Sequence, residues 1–193
     1  MKIPFETEKL YYGFPIFLLG YRDETCGYNI TTCSSSYSLG NMLVVGIGLK
    51  TNAAQKIKKF GRFTVNIPTE KSMQAIEQAG FVSHRDKFSL TGLDYSLSDI
   101  VDAPILTDCP LVLECQVEKI IEKDNVAHIF AHIAGRKIDE KLIVKHQFRS
   151  QDFDPVYFMG DGKERIYRYL DQERSDKLGR FRRKSQEQNS EDL

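Results

Sequence analysis

Between Asn29 and Leu39 the chain reads Asn29-Ile30-Thr31-Thr32-Cys33-Ser34-Ser35-Ser36-Tyr37-Ser38-Leu39, so nearly every residue offers a hydroxyl or a backbone N–H. A ligand that needs many small donors, such as a heteroaromatic ring edge or a phosphate, is served by such a segment. The same composition also makes an ordinary Ser/Thr-rich loop, and composition alone leaves both open.

A second candidate is Lys50-Thr51-Asn52, which stands at the start of a predicted helix. The first N–H groups of a helix lack partners, and its dipole is positive at that end, so an anion is favoured there. Lys50 adds a full charge and Thr51 a hydroxyl. Plain helix capping by Thr51 or Asn52 accounts for the same residues. No GxxxxGK[ST] or GxGxxG pattern occurs.

His128 and His132 would chelate a metal if they stood on a helix. On the strand inferred for Val126–Ile133 they lie about 13 Å apart along one face, too far to share an ion. No Ser-His-Asp set, nucleophile elbow or paired-carboxylate pattern stands out. The four cysteines, Cys26, Cys33, Cys109 and Cys115, form neither a CxxC pair nor a metal-type spacing. They are expected to be free thiols in a reducing cytoplasm, and none is expected to act as a nucleophile. A protein without strong catalytic groups of its own often borrows chemistry from a cofactor.

The elements that must position these residues follow from periodicity. GFPIFLLGYR and YNITTC are read as two strands around a polar turn, and Met42 to Leu49 as a buried strand. A helix fits Ala53 to Phe60, with Gly61 as its stop. Arg62 to Ile67 alternates as a strand, and a second helix fits Glu70 to Ala79, capped by Thr69 and stopped by Gly80. Leu111 to Ile121 places Leu111, Leu113, Cys115, Val117 and Ile121 on one face and Glu114, Gln116 and Glu118 on the other. A hairpin loop over Glu122 to Asn125 then leads into Val126–Ile133. Many short strands with a few short helices predict a mainly antiparallel β-barrel with helices outside.

With 193 residues, 41% of them apolar, the chain can bury a substantial core. Lys plus Arg equals Asp plus Glu, 27 each, which argues against a nucleic-acid coat protein. The longest apolar runs are too short to span a bilayer as helices. One domain is expected over residues 1–170. Residues 171–193 are charged at more than half their positions and are expected to form a mobile tail. Its Arg180, Arg182, Arg183 and Lys184 form a basic cluster.

The order of segments resembles the flavin reductase-like, FMN-binding split-barrel family. The matching stretches are NITTCSSSYSLG, MLVVGIGLKTN, RFTVNIP, DKFSLTGLDY, PLVLECQVEKIIE, HIFAHIAGRKID and DPVYFMGDGKERIYRYL. At Gly40-Asn41 the chain departs from the paired prolines often found in the family. The resemblance implies a split antiparallel β-barrel acting as a homodimer, with FMN as cofactor and NAD(P)H as electron donor. It implies that Asn29, Thr31, Thr32, Cys33, Ser34 and Ser35 line the isoalloxazine and ribityl chain, while Lys50, Thr51 and Asn52 hold the phosphate. Catalysis would need no side-chain acid or base. A non-catalytic FMN electron-transfer protein is a second expectation. A pyridoxamine-phosphate-oxidase-like barrel is a third, although such a site would be richer in Arg.

Overall fold

A computed structural model describes residues 1–171 and 173–181. Among the described residues, fourteen strands and three α-helices follow one another as β1 (Leu10–Pro15), β2 (Phe17–Asp23), β3 (Gly27–Cys33), β4 (Ser36–Leu39), β5 (Met42–Gly48), α1 (Asn52–Phe60) and β6 (Arg62–Ile67). They continue as α2 (Met73–Phe81), α3 (Lys87–Thr91), β7 (Tyr95–Leu97), β8 (Pro104–Leu106), β9 (Leu111–Lys123) and β10 (Val126–Ile138). The last are β11 (Ile143–Val144), β12 (Gln147–Phe148), β13 (Tyr157–Asp161) and β14 (Arg165–Arg168).

Seven strands form one antiparallel sheet in the order β3-β2-β6-β9-β10-β5-β4. Its edge strands, β3 and β4, are consecutive in sequence and joined only by Ser34 and Ser35. The sheet must therefore curl until its edges approach: Cys33 Sγ of β3 donates to Gly46 O of β5 at 3.6 Å, while the Gly46 amide donates to Ser35 O at 2.9 Å, one residue beyond the β4–β5 ladder. The two edges share no ladder. The barrel is split there, and the split falls on the hydroxyl-rich segment.

Alternation along the strands makes two cores. Phe17, Leu19, Tyr21, Val45, Phe63, Val65, Cys115 and Ile129 fill the barrel, with Ala53, Ala54 and Ile57 of α1 packed against them. Leu18, Ile30 and Val112, from the opposite strand faces, pack with Ile76 and Ala79 of α2 and with Leu106. Burial on both faces explains why β2 is apolar almost throughout.

Helix α1 begins and ends where its caps require. Thr51 Oγ1 accepts the Ala54 amide at 3.2 Å. Gly61 closes the helix in the left-handed conformation, its N–H bonded to Ile57 O. That geometry is nearly free of strain only for glycine.

Five expectations need correction. Ile121 is exposed, because a bulge between Val117 and Lys119 shifts the alternation of β9 and turns Ile120 to the core instead. The GFPIFLLGYR run is two strands, because the chain leaves the barrel at Ile16 and β1 pairs with β13 in a separate sheet. The second helix opens with a 3-10 turn at Glu70–Ser72, Thr69 makes no side-chain cap, and Gly80 lies inside α2. There Gly80 packs against Thr32, and an added Cβ would meet the Thr32 Cβ at 3.4 Å. The hairpin after β9 has two turn residues, Asp124 and Asn125, both at positive φ, so the strands run closer to the turn than the charged sequence suggested. Glu114 is buried at 1% exposure, because the Tyr95–Leu106 excursion covers the face that alternation assigns to solvent. Its Oε1 accepts from the Ser98 hydroxyl at 2.5 Å.

The β2–β8 crossing leaves no room for a side chain at Gly20. A Cβ there would stand 2.5 Å from Thr64 Oγ1 and 2.7 Å from Pro104 O. Gly20→Ala is expected to cost about 1–3 kcal/mol by overpacking, since backbone must move. Urea unfolding monitored by far-ultraviolet circular dichroism checks this.

No described helix is long and apolar enough to cross a membrane. Asp171 and residues 173–181 are exposed. Arg182, Arg183, Lys184 and the rest of the expected tail lie outside the described residues.

Candidate functional site

The split gathers most of the residues singled out in the sequence. Ile30 N–H is taken by the Asn29 side chain, so it points to the open edge of β3, away from β2. By the two-residue period of an antiparallel edge strand, the Thr32 N–H points to the same edge. The amides of Ser34 and Ser35 point at Cys33 Sγ, so the crossing is a small concavity of N–H groups. Across it stand Gly46 and Gly48 of β5. A Cβ on Gly48 would lie 3.3 Å from Thr51 Cγ2, so a glycine keeps this wall low.

A cleft of about 330 Å³ opens beside the start of α1, lined by Gly48, Leu49, Lys50, Thr51, Ser83 and Asn125. Lys50 is exposed there and forms no ion pair among the described residues. Thr51 is already spent: its hydroxyl donates to Gly48 O at 2.8 Å while accepting from Ala54 N. What this corner offers an anion is the Lys50 ammonium, the Ser83 hydroxyl and the free N–H groups of the first helical turn.

Three other candidate residues turn their side chains inward. Asn29 is buried, and its amide is saturated. Nδ2 donates to Asp23 Oδ2 at 3.2 Å and to Arg85 O at 2.9 Å. Oδ1 accepts from Ile30 N at 3.0 Å and Lys87 N at 3.2 Å. No donor or acceptor of that side chain remains for a ligand. Asn52 Nδ2 donates to Asp23 Oδ2 at 2.7 Å. Thr32 donates its hydroxyl to Ile76 O at 2.6 Å. Asn29 and Asn52 thus tie β3 and α1 to the buried Asp23, and Thr32 ties β3 to α2. Their effect on a ligand is to fix the walls.

Sequence reasoning missed the segment from Ser83 to Lys87. It leaves α2, passes the cleft at Ser83, bonds Asn29 through Arg85 O, and reaches β3 at Thr31. His84 takes a φ of 54°, the left-handed turn that lets the chain wrap round the edge strand. Lys87 is only 4% exposed. Its Nζ donates to Ala79 O at 2.6 Å and to Thr31 Oγ1 at 3.0 Å. Both acceptors are neutral, and no carboxylate pairs with it among the described residues. Burial pulls its pKa down to about 8. The signal in the sequence was a lysine next to an N-cap, in Asp86-Lys87-Phe88, which periodicity reads as solvent-facing.

That shift carries a sign. Unfolded Lys87 keeps its ordinary, higher pKa, so between about pH 8 and 10.5 the unfolded chain binds more protons and stability rises with pH. Lys87→Met removes this dependence. The stability of the wild type relative to Lys87→Met is expected to improve across that window, by up to about 3 kcal/mol. Parallel denaturant titrations at both ends of the window measure it.

The thiols are protonated. Burial pushes Cys33 up to about 11 despite the two amides that face it, and pushes Cys115 and Cys109 up to about 12. Cys26 rises to about 11, through burial first and the nearby Asp23 and Asp86 second. At pH 8 Cys26 and Cys33 should hold about a hundredfold less thiolate than free cysteine thiols. Iodoacetamide labelling of the native protein at pH 8 is expected to be correspondingly slow, and fast after unfolding.

Residues 11–154 match the family model described as flavin reductase like domain. The chain belongs to the flavin reductase-like family. The same split barrel recurs in solved structures. Flavoredoxin of Desulfovibrio vulgaris (Miyazaki F) superposes with a TM-score of 0.82 at 24% identity, covering 94% of this chain and 100% of that one. Flavoredoxin from Methanosarcina acetivorans does so with a TM-score of 0.82 at 21% identity, over 94% and 98%. The FMN-binding protein from Thermus thermophilus gives 0.72 at 17% identity, over 92% and 97%. Among curated proteins, the uncharacterized protein YdfE of Bacillus subtilis (strain 168) is 27% identical over 127 residues, 58% of this chain. The match spans 61% of that relative's length. This flavin reductase-like chain therefore has the family's fold, and its cleft lies where the barrel splits.

Proposed function

We propose that this chain binds FMN at the split and passes electrons from NAD(P)H to a flavin or another acceptor. The observation that carries the reading is the meeting of the α1 start, the Lys50 ammonium (unpaired among the described residues) and Ser83 in one cleft, beside the N–H-rich Cys33–Ser35 crossing. The residues present fit FMN. Lys50, Ser83 and the first-turn amides suit a phosphate, while the amides of Thr32, Ser34 and Ser35 suit the carbonyls and nitrogens of a ring.

Bound FMN would supply the ring that accepts a hydride from the nicotinamide. The chain's own residues bind and orient. Asn29 and Asn52 brace the walls, and the low wall at Gly46 and Gly48 leaves the ring face open. Cys33 stays protonated, so it acts as packing within the site.

Homodimer formation is part of the proposal. Tyr37, Leu39 and Phe81 are large apolar residues exposed near the split, and a second copy would cover them. The four free thiols suit a reducing, cytoplasmic setting.

Mixing the protein with FMN and either NADH or NADPH under anaerobic conditions tests the activity. Flavin absorbance is expected to bleach far faster than with nicotinamide and free FMN alone. The two flavoredoxins sharing this fold favour a second reading, a non-catalytic FMN electron-transfer protein. Tight FMN binding with no acceleration by either nicotinamide would establish that one instead.

A further inference from the structure

Among the described residues no carboxylate pairs with the charge of Lys87. A lysine ammonium has three N–H donors, and Lys87 spends two of them on neutral oxygens, Ala79 O and Thr31 Oγ1. Burying an uncompensated cation is costly, and such groups are retained mainly where something uses the charge. Asp86 directs its carboxylate to Ser89, and Asp23 to Asn29, Asn52 and Lys56, so neither neighbouring acid neutralises it. Thr31 is half-buried on the strand face it shares with Cys33. Because its oxygen accepts from Lys87, its own O–H is left to donate, and it has no acceptor among the described residues. A hydroxyl that accepts from a cation is a stronger donor, since the two hydrogen bonds polarise each other.

Resting on the reading that FMN occupies the split, we propose that Lys87, acting through the Thr31 hydroxyl, is a positioning residue that holds countercharge for the reduced flavin ring. When a hydride is delivered, the ring gains two electrons and one proton, and one unit of negative charge remains on it. The nicotinamide that gives up the hydride leaves as its oxidised, cationic form. A fixed positive charge beside the ring favours the reduced state over the neutral oxidised state. Lys87 therefore raises the reduction potential of the bound flavin and contributes little to binding of oxidised FMN.

Potentials of bound flavin in the wild type, Lys87→Met and Thr31→Val, measured with a reference dye, test this together with dissociation constants for oxidised FMN and riboflavin. Lys87→Met is expected to hold oxidised FMN within about threefold of the wild type and reduced FMN about tenfold more weakly. That ratio is a fall of about 30 mV for a two-electron couple. Thr31→Val should shift the potential in the same direction, and it keeps the test open if Lys87→Met does not fold. An unchanged potential in a variant that still binds FMN would overturn the proposal and leave Lys87 a structural residue. So would a loss of FMN affinity that spares riboflavin, which would place the charge at the phosphate. Failure of the wild type to bind either flavin would refute the flavin reading itself, and it is seen before any substitution is made.

Discussion

Asn29→Ala is expected to lower the melting temperature of the ligand-free protein by about 6–12 °C. The substitution strips partners from three buried groups, the Asp23 carboxylate and the amides of Ile30 and Lys87, and from the part-buried Arg85 O. Each buried group left unsatisfied costs about 1–3 kcal/mol, and water entering the vacated space recovers part of it, so a net loss near 3 kcal/mol is reasonable. A domain of this size loses about 2–4 °C per kcal/mol. Asn29→Asp should also destabilise, because it sets a second carboxylate against Asp23 Oδ2, now 3.2 Å from Nδ2. Differential scanning calorimetry without ligand decides the role. An unchanged midpoint would show that Asn29 is held loosely and is available to a ligand after all.

The double substitution Lys50→Ala and Ser83→Ala is expected to weaken FMN by about 10- to 150-fold and to leave riboflavin within about threefold. Charge-assisted hydrogen bonds are worth about 1.5–3 kcal/mol, and riboflavin lacks the phosphate these groups would hold. Thr51 is left intact, since its hydroxyl caps α1 and Thr51→Ala would cost about 1 kcal/mol of stability without removing a free donor. Fluorescence quenching titrations with both flavins read the difference. Equal losses for both ligands would move the phosphate elsewhere.

Local signals made much of this fold legible. A cap at Thr51 or Asn52, the Gly61 stop and the alternation of Arg62–Ile67 depend on neighbours in sequence; the structure has the stop and the strand where the sequence puts them, and it sets the cap at Thr51. What failed was set by distant chain. Ile16 divides an unbroken apolar run because β13 draws β1 into another sheet. Glu114 is buried because an excursion some fifteen residues upstream folds over it, and no property of β9 itself announces that cover. Gly80 looks like a helix stop but is a contact surface for Thr32. For the site, the hydroxyl-rich stretch and Lys50 were readable by type. Which side chains are spent internally was not, because Asp23 and Lys87 meet Asn29, Asn52 and Thr31 only through the tertiary fold. Lys87 was invisible for the same reason: a lysine beside an N-cap normally lies in solvent.

The most direct test of the account is titration of the purified protein with FMN, followed by flavin fluorescence and by the absorbance spectrum of the protein as isolated. A yellow protein, or one that quenches FMN with a micromolar or lower Kd at one site per chain, is the predicted result. A colourless protein that leaves FMN fluorescence unchanged at protein concentrations well above that range would contradict the assignment of the split as a flavin site.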